Sequence, residues 1–354
     1  MTKPEKPRWE DESCFEINRE RMHVPLRSFE SRESALGRRV CDELPTSRWA
    51  LPLTPAQWAF ALSACPEAAP AVAGPGGFDT AGWGEIHVPR SWEVAGVGSK
   101  PIYLNHRYPF KVDPPRVPSR ENEVGSYQVC FTVPADWSGR RAYLVLDGIG
   151  SAATVWLDGV EVGYTQDSKL PAEFDVTKLL AAGGGEGHVL SVRVVRWCDG
   201  SYLEDQDQWW LSGIQRHCYL YSKPSHLAIR DFTVSTSVAE GNTQASIGIQ
   251  VALAGSLVEG ASSSPAAAAA LAASGARVRA SLHGPFRLSD VSDLAKPLPP
   301  CDLAWGATLS QPVLAEEADH SRWTALRRYR FIYALDLCIH IQSEMWYICT
   351  YPYI

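Results

Sequence analysis

A chain of 354 residues can hold two domains of ordinary size, each burying its own core, and 45% hydrophobic with 21% charged residues is a globular balance rather than a disordered one. The formal net charge of −7 is spread along the chain, and the one dense basic run, Arg327, Arg328 and Arg330, is too small a cluster for a nucleic-acid surface. The opening MTKPEKPRWEDES has no apolar h-region, and the most apolar late stretch, Phe331 to Ile341, is interrupted by Asp336 and shorter than the about 20 residues of a membrane span, so a cytoplasmic protein is expected.

From about Tyr127 the chain reads as short β-type runs: Tyr127 to Val133, Ala142 to Ile149, Ala152 to Leu157, Val160 to Thr165 and Val189 to Trp197. Asp158-Gly159 separates two of these runs by two residues, a strong hairpin signal because both turn positions must accept positive φ. Leu190, Val192 and Val194 alternate with Ser191 and Arg193, which predicts one buried and one wet face. The run AAGGGEG, Ala181 to Gly187, reads as a small insertion.

A second β unit begins near Leu227, with Phe232 and Val234 alternating against polar neighbours. It continues through Ile247, Ile249, Val251 and Leu253, and again over Arg277 to Leu282. Between these runs, residues 254–276 are rich in Ala, Ser and Gly, offer little to pack, and read as an inserted loop with disorder favoured. Helical periodicity is scarce. Many closely spaced short strands predict an all-β chain of the sandwich or jelly-roll type.

Nine cysteines show no C-x-x-C pair and no metal-ligand spacing, so they read as reduced structural thiols. The 13 Trp outnumber the 10 Phe. Flat indole faces stack on sugars, although burial in a core is the ordinary reason for such an excess.

Five stretches together resemble the amino-terminal region of the β-galactosidases of glycoside hydrolase family 2. They are FEINRERMHVPLRSF (Phe15 to Phe29), WGEIHVPRSWEVAGVGSKPIYLNHRYPFKVDPPRVP (Trp83 to Pro118), GSYQVCFTVPADWSGRR (Gly125 to Arg141), DSKLPAEFDVT (Asp167 to Thr177) and RWCDGSYLEDQDQWWLSGIQRHCYLYSKP (Arg196 to Pro224). The resemblance implies an extended amino-terminal segment over 1–49 and a jelly-roll sugar-binding domain over 50–226. An incomplete immunoglobulin-like β-sandwich over 227–325 follows, interrupted by the insertion at 254–276.

Family members are retaining glycosidases, which need two carboxyl groups about 5 to 5.5 Å apart at the anomeric carbon. By resemblance both are glutamates of a (β/α)₈ barrel that follows these two domains. Such a barrel takes about 250 residues. Only 29 residues follow position 325 here, so the resemblance assigns no catalytic residue to this chain and expects it to be inactive alone.

What the resemblance does assign is an edge of the galactose pocket. Asn105 in PIYLNHRYP matches the family asparagine that hydrogen-bonds substrate. Asp207 in LEDQDQWW matches the aspartate that contacts both sugar and a sodium ion. An amide offers donor and acceptor to a hydroxyl pair, and a carboxylate is a hard oxygen ligand. Magnesium is the family's second metal, with its ligands outside this chain, and a homo-oligomer acting on β-galactosides is implied. Neither nucleic acid nor membrane is expected as a partner.

Read without the family, Asn105 is an ordinary turn residue, and Glu204, Asp205 and Asp207 form a solvated acidic loop. Trp209 and Trp210, preceding a strand, read as core. Three positions depart from the family pattern: Ser91 before Trp92, Cys198, and Gln215. A sharper departure follows SRWTA (Ser321 to Ala325), where family-like text gives way to a tail over 326–354 with no consistent period. A retained intron or frame error would produce that pattern, and the tail is expected to be poorly ordered.

The enzyme reading is therefore a β-galactosidase, with a β-glucuronidase or β-mannosidase relative behind it. A free-standing carbohydrate-binding β-sandwich and an associating structural fragment are the readings from other classes.

Overall fold

A computed structural model of the chain describes residues 6–26, 28–31, 47–182, 187–204, 207–238 and 244–256. It also describes positions 265, 266, 269, 273 and 274 and the strand segments 277–287, 308–312, 321–324, 331–341 and 344–349. Most of the insertion read at 254–276, residues 183–186 of the smaller one, and Asp205 lie outside the described residues. The chain divides into two compact units: Met1–Arg21 with Leu51–Tyr221, and Met22–Ala50 with Ser222–Ile354. Both are built from antiparallel strands, and the all-β reading holds.

The larger sheet of the first unit has seven strands. Their order is β1 (Glu16–Ile17), β11 (Val160–Thr165), β10 (Ala152–Leu157), β13 (His188–Val195), β7 (Val124–Phe131), β4 (Ala56–Ser63) and β5 (Gly84–Val88). Part of the amino-terminal segment expected to be merely extended is thus an edge strand, with Glu16 opposite Thr165 and Ile17 opposite Tyr164. A second sheet runs β12 (Ala172–Asp175), β8 (Arg141–Leu146), β16 (Cys218–Lys223) and β3 (Ala50–Pro52). Two short ladders complete the unit: β6 (Ile102–Leu104) with β14 (Gln208–Trp210), and β9 (Ile149–Gly150) with β15 (Gly213–Ile214).

Local chemistry explains the central hairpin. Asp158 and Gly159 both take positive φ, 51° and 75°, which closes β10 onto β11 with Leu157 opposite Val160. The Asp158 carboxylate then ties the turn to β13, lying 2.7 Å from His188 Nδ1 and accepting the Val189 N–H at 2.8 Å. A Cβ on Gly159 would sit 1.9 Å from the Gly74 carbonyl oxygen, so the position admits no side chain.

The core lies between the larger and smaller sheets. Trp58, Tyr127, Leu146, Leu157, Tyr164, Phe174, Leu190 and Leu220 are all at most 1% exposed. Phe174 of β12 packs so closely on β11 that a Cβ on Gly163 would approach its ring to 2.7 Å. Truncating such an aromatic to alanine typically costs about 3 to 5 kcal/mol.

One expectation is corrected on β13. Leu190, Val192 and Val194 are buried as predicted, but the opposite face is not wet: Ser191 is buried and Arg193 half-buried. Segment 70–83 covers it. Ser191 donates to Gln128 Oε1 at 2.8 Å, Gln128 Oε1 also accepts the Phe78 N–H at 2.7 Å, and the Arg193 guanidinium lies over Trp156 and donates to the Pro70 carbonyl. A polar residue facing a covering loop alternates like one facing water.

The second unit contains a three-stranded sheet, β17 (Ala228–Val238), β18 (Gln244–Ala254) and β21 (Ser321–Thr324). Its five-stranded sheet runs β2 (Ser28–Phe29), β23 (Glu344–Cys349), β22 (Phe331–Ile341), β19 (Arg277–Arg287) and β20 (Thr308–Pro312). The tail expected to be poorly ordered therefore contributes two strands, with Leu337 opposite Ile348. Its physical basis is visible afterwards: Leu335, Leu337, Ile339 and Ile341 alternate with Asp336, Cys338 and His340. No helix among the described residues is long and apolar enough to cross a membrane.

Candidate functional site

The ladder of β6 and β14 pairs residues roughly a hundred positions apart. Leu104 lies opposite Gln208, Tyr103 opposite Trp209 and Ile102 opposite Trp210. Asn105 directly follows β6 and Asp207 directly precedes β14, so the antiparallel register places these two sequence-predicted residues together at one end of the ladder. Period-2 alternation puts Tyr103, Asn105, Asp207 and Trp209 on one face. All four are exposed.

Tyr103 organises that face. Its hydroxyl donates to Asp207 Oδ1, and its ring meets the Trp209 ring at 5.5 Å with planes inclined by 52°. The carboxylate it binds holds the Tyr103 phenol above its ordinary pKa, so the phenol stays a donor. Asn105 Oδ1 lies 2.6 Å from His106 Nδ1.

The two tryptophans separate. Trp209 is 56% exposed, against the expectation of a core residue, whereas Trp210 is half-buried and meets the buried Trp197 edge-on at 5.2 Å. In a three-residue strand on a surface ladder, neighbours point to opposite faces, so only one of two consecutive indoles can reach the interior. Sequence reading missed Tyr103 and the exposure of Trp209. The signal was their symmetric placement, two residues before Asn105 and two after Asp207.

The loops behind the ladder are held by aromatic packing. Tyr202 takes part in three hydrogen bonds: its carbonyl accepts the Tyr108 hydroxyl at 2.6 Å, its own hydroxyl donates to the Arg116 carbonyl at 2.7 Å, and the Asp113 N–H donates to that hydroxyl at 3.1 Å. Phe110 fills the space between Trp197 and Tyr202, 5.1 and 5.6 Å away.

Of the acidic loop, Glu204 is already committed, its two oxygens accepting the Ser168 N–H at 2.9 Å and the Ser168 hydroxyl at 2.5 Å. No group of three or more His, Cys, Asp or Glu suited to a metal ion occurs among the described residues. Asp207 is an exposed carboxylate whose Oδ1 accepts from Tyr103, a hard-oxygen group that could serve a cation only together with further oxygen ligands.

The departures from the family pattern lie away from this face. Cys198 is buried, and burial above all pushes its thiol up to about 12. Gln215 donates to the Leu211 carbonyl at 2.5 Å.

Comparison with known proteins gives this arrangement a context. Residues 54–224 match the family described as glycosyl hydrolases family 2, sugar binding domain. A β-galactosidase of Psychromonas ingrahamii is 44% identical over 230 residues, 65% of this chain and 21% of the relative. One of Vibrio vulnificus is 44% identical over 218 residues, 62% of this chain and 20% of the relative. The chain therefore spans about a fifth of the length of the curated relatives it matches. A solved β-glucuronidase of Parabacteroides merdae, 16% identical, matches with a TM-score of 0.56 over 88% of this chain and 35% of that one, a likeness of fold alone.

Proposed function

We propose, from the premise that residues 54–224 belong to the sugar-binding domains of glycosyl hydrolases family 2, that the Asn105–Asp207 end of the ladder is the rim of a β-galactoside pocket. The whole protein is on this reading a retaining β-galactosidase acting on terminal β-D-galactosides. One observation carries the proposal: the two residues that the resemblance assigns to the sugar, in motifs about a hundred positions apart, stand side by side through the register of β6 with β14.

Their chemistry suits the task. Asp207, with Oδ1 held by the Tyr103 hydroxyl, is oriented before a ligand arrives, and its carboxylate accepts strongly from sugar O–H groups. Asn105 supplies an amide that can donate and accept within reach of the same hydroxyl pair. Trp209 beside Tyr103 offers an exposed aromatic face to the C–H side of a pyranose.

Sodium belongs to the same proposal, with Asp207 as one ligand; bound there, the ion would neutralise the carboxylate and polarise a sugar hydroxyl. Magnesium and a homo-oligomeric assembly follow from the resemblance.

The test is Asp207→Ala in the whole enzyme, following galactoside turnover and its sodium response together. Loss of both is expected, because one carboxylate serves sugar and ion. Unchanged turnover with an unchanged sodium response would return Asp207 to a solvated acidic loop.

A further inference from the structure

Three ionisable side chains away from the ladder cluster together, Glu93 and Arg196 buried and Glu123 half-buried. Side-chain exposure is 0% for Glu93, 4% for Arg196 and 15% for Glu123. Arg196 Nη1 stands 2.9 Å from Glu123 Oε2, and its Nε stands 3.9 Å from Glu93 Oε1. The other oxygen of each carboxylate reaches a different segment. Glu93 Oε2 accepts the Ser212 N–H at 2.9 Å, and Glu123 Oε1 accepts both the N–H and the hydroxyl of Ser99 at 2.9 Å. Next to this group, the buried Asn122 side chain pairs both ways with the Trp197 backbone, at 2.9 and 2.8 Å.

These anchor points share a pattern. Arg196 opens the excursion that carries Asp207 and β14, and Ser212 closes it. Ser99 is the root of the segment that leads through β6 to Asn105. One three-charge group therefore grips both ends of one segment and the base of the other.

Stability alone does not call for charges here. A buried ion pair adds little compared with well-packed apolar side chains, while each of its members must be desolvated. Burial pushes the Glu93 carboxyl above its usual range, opposed by the Ser212 N–H and, more weakly, by Arg196. What the two carboxylates provide that apolar packing does not is direction: they accept from the Ser212 and Ser99 N–H groups, while Arg196 hydrogen-bonds Glu123 and faces Glu93 at 3.9 Å by charge alone.

We infer that Glu93, Arg196 and Glu123 are positioning residues, a clamp that sets the register at which Asn105 meets Asp207. The inference rests on the reading of those two residues as a sugar-contacting rim. None of the three clamp residues is assigned a contact with sugar.

The experiment is residue-resolved amide exchange on the full chain carrying Glu123→Gln, Arg196→Met or Arg196→Lys. Exchange at Ser99 and Ser212 and at the hydrogen-bonded amides of the β6–β14 ladder should accelerate about tenfold or more in the first two variants, while amides shared by β7 and β13 keep their rates. Arg196→Lys should restore part of the protection. Where Arg196→Met fails to fold, Glu123→Gln keeps the side-chain volume, loses only the charge, and carries the same test.

Acceleration spread evenly through β7 and β13, or none at the ladder, would overturn the clamp. A parallel titration with methyl β-D-galactoside separates the two claims. If Asp207→Ala leaves its affinity unchanged, the rim reading fails, whereas the clamp's register-setting role stands or falls on the exchange pattern.

Discussion

Replacing Asp207 removes an oriented carboxylate, whereas replacing Asn105 removes a neutral amide, and the two losses should differ in size. Hydrogen bonds to a charged group contribute about 1.5 to 3 kcal/mol and neutral ones about 0.5 to 1.5 kcal/mol. Asp207→Ala should therefore weaken galactoside binding about tenfold or more and Asn105→Ala less, as measured by titration. Equal and negligible effects would contradict the rim. Tyr103→Phe should fall between them, since it leaves the Asp207 carboxylate in place but unoriented.

Glu93 gives a pH prediction at the same scale. Its folded pKa is raised, chiefly by burial, so between the ordinary carboxylate range and the folded value the native state holds more protons than the unfolded chain. The stability Glu93 contributes is present in full below that interval and lost as pH rises through it. Arg196 is the charged group that acts on Glu93, and it opposes the shift. Urea unfolding of wild type and Glu93→Gln across the interval should show wild type losing stability relative to the variant as pH rises. A constant difference would refute the assignment.

At the scale of elements, the hairpin at Asp158-Gly159 shows what local sequence can carry. Two-residue spacing, turn chemistry and alternation all act within about ten residues, and β10 and β11 were legible for that reason. Gly159→Ala should lose about 1 to 3 kcal/mol in urea unfolding, because positive φ and a blocked Cβ position act together. Gly139 has a similar φ of 74° and open space around its Cβ, so Gly139→Ala should cost less. Similar losses at both sites would mean that backbone conformation, not the Gly74 contact, sets the cost.

The ladder of β6 and β14 was not legible in the same way. Each strand is three residues long, too short for a periodic signal, and the pairing spans about a hundred positions. The residues Asn105 and Asp207 came from resemblance, and their meeting came from the fold. The misreadings have related causes. Trp209 reads as core because it precedes a strand, and the covered face of β13 reads as wet because segment 70–83 returns over it from a distance in sequence. The alternation at Leu335 to Ile341 is a local signal of a strand in the tail.

For the whole molecule, the chain holds two all-β units and spans about a fifth of the length of the β-galactosidases it matches; the rim is the proposed part of it. A rim alone should bind sugar weakly, so residue-resolved detection is needed rather than bulk affinity. The most direct measurement is a titration of the isotope-labelled chain with methyl β-D-galactoside, with the corresponding glucoside as control, following the Asn105 side-chain amide and the Trp209 indole N–H by nuclear magnetic resonance. The account predicts saturable shifts at both groups with the galactoside, abolished by Asp207→Ala. Shifts that appear only elsewhere on the first unit, or that persist unchanged in Asp207→Ala, would contradict it.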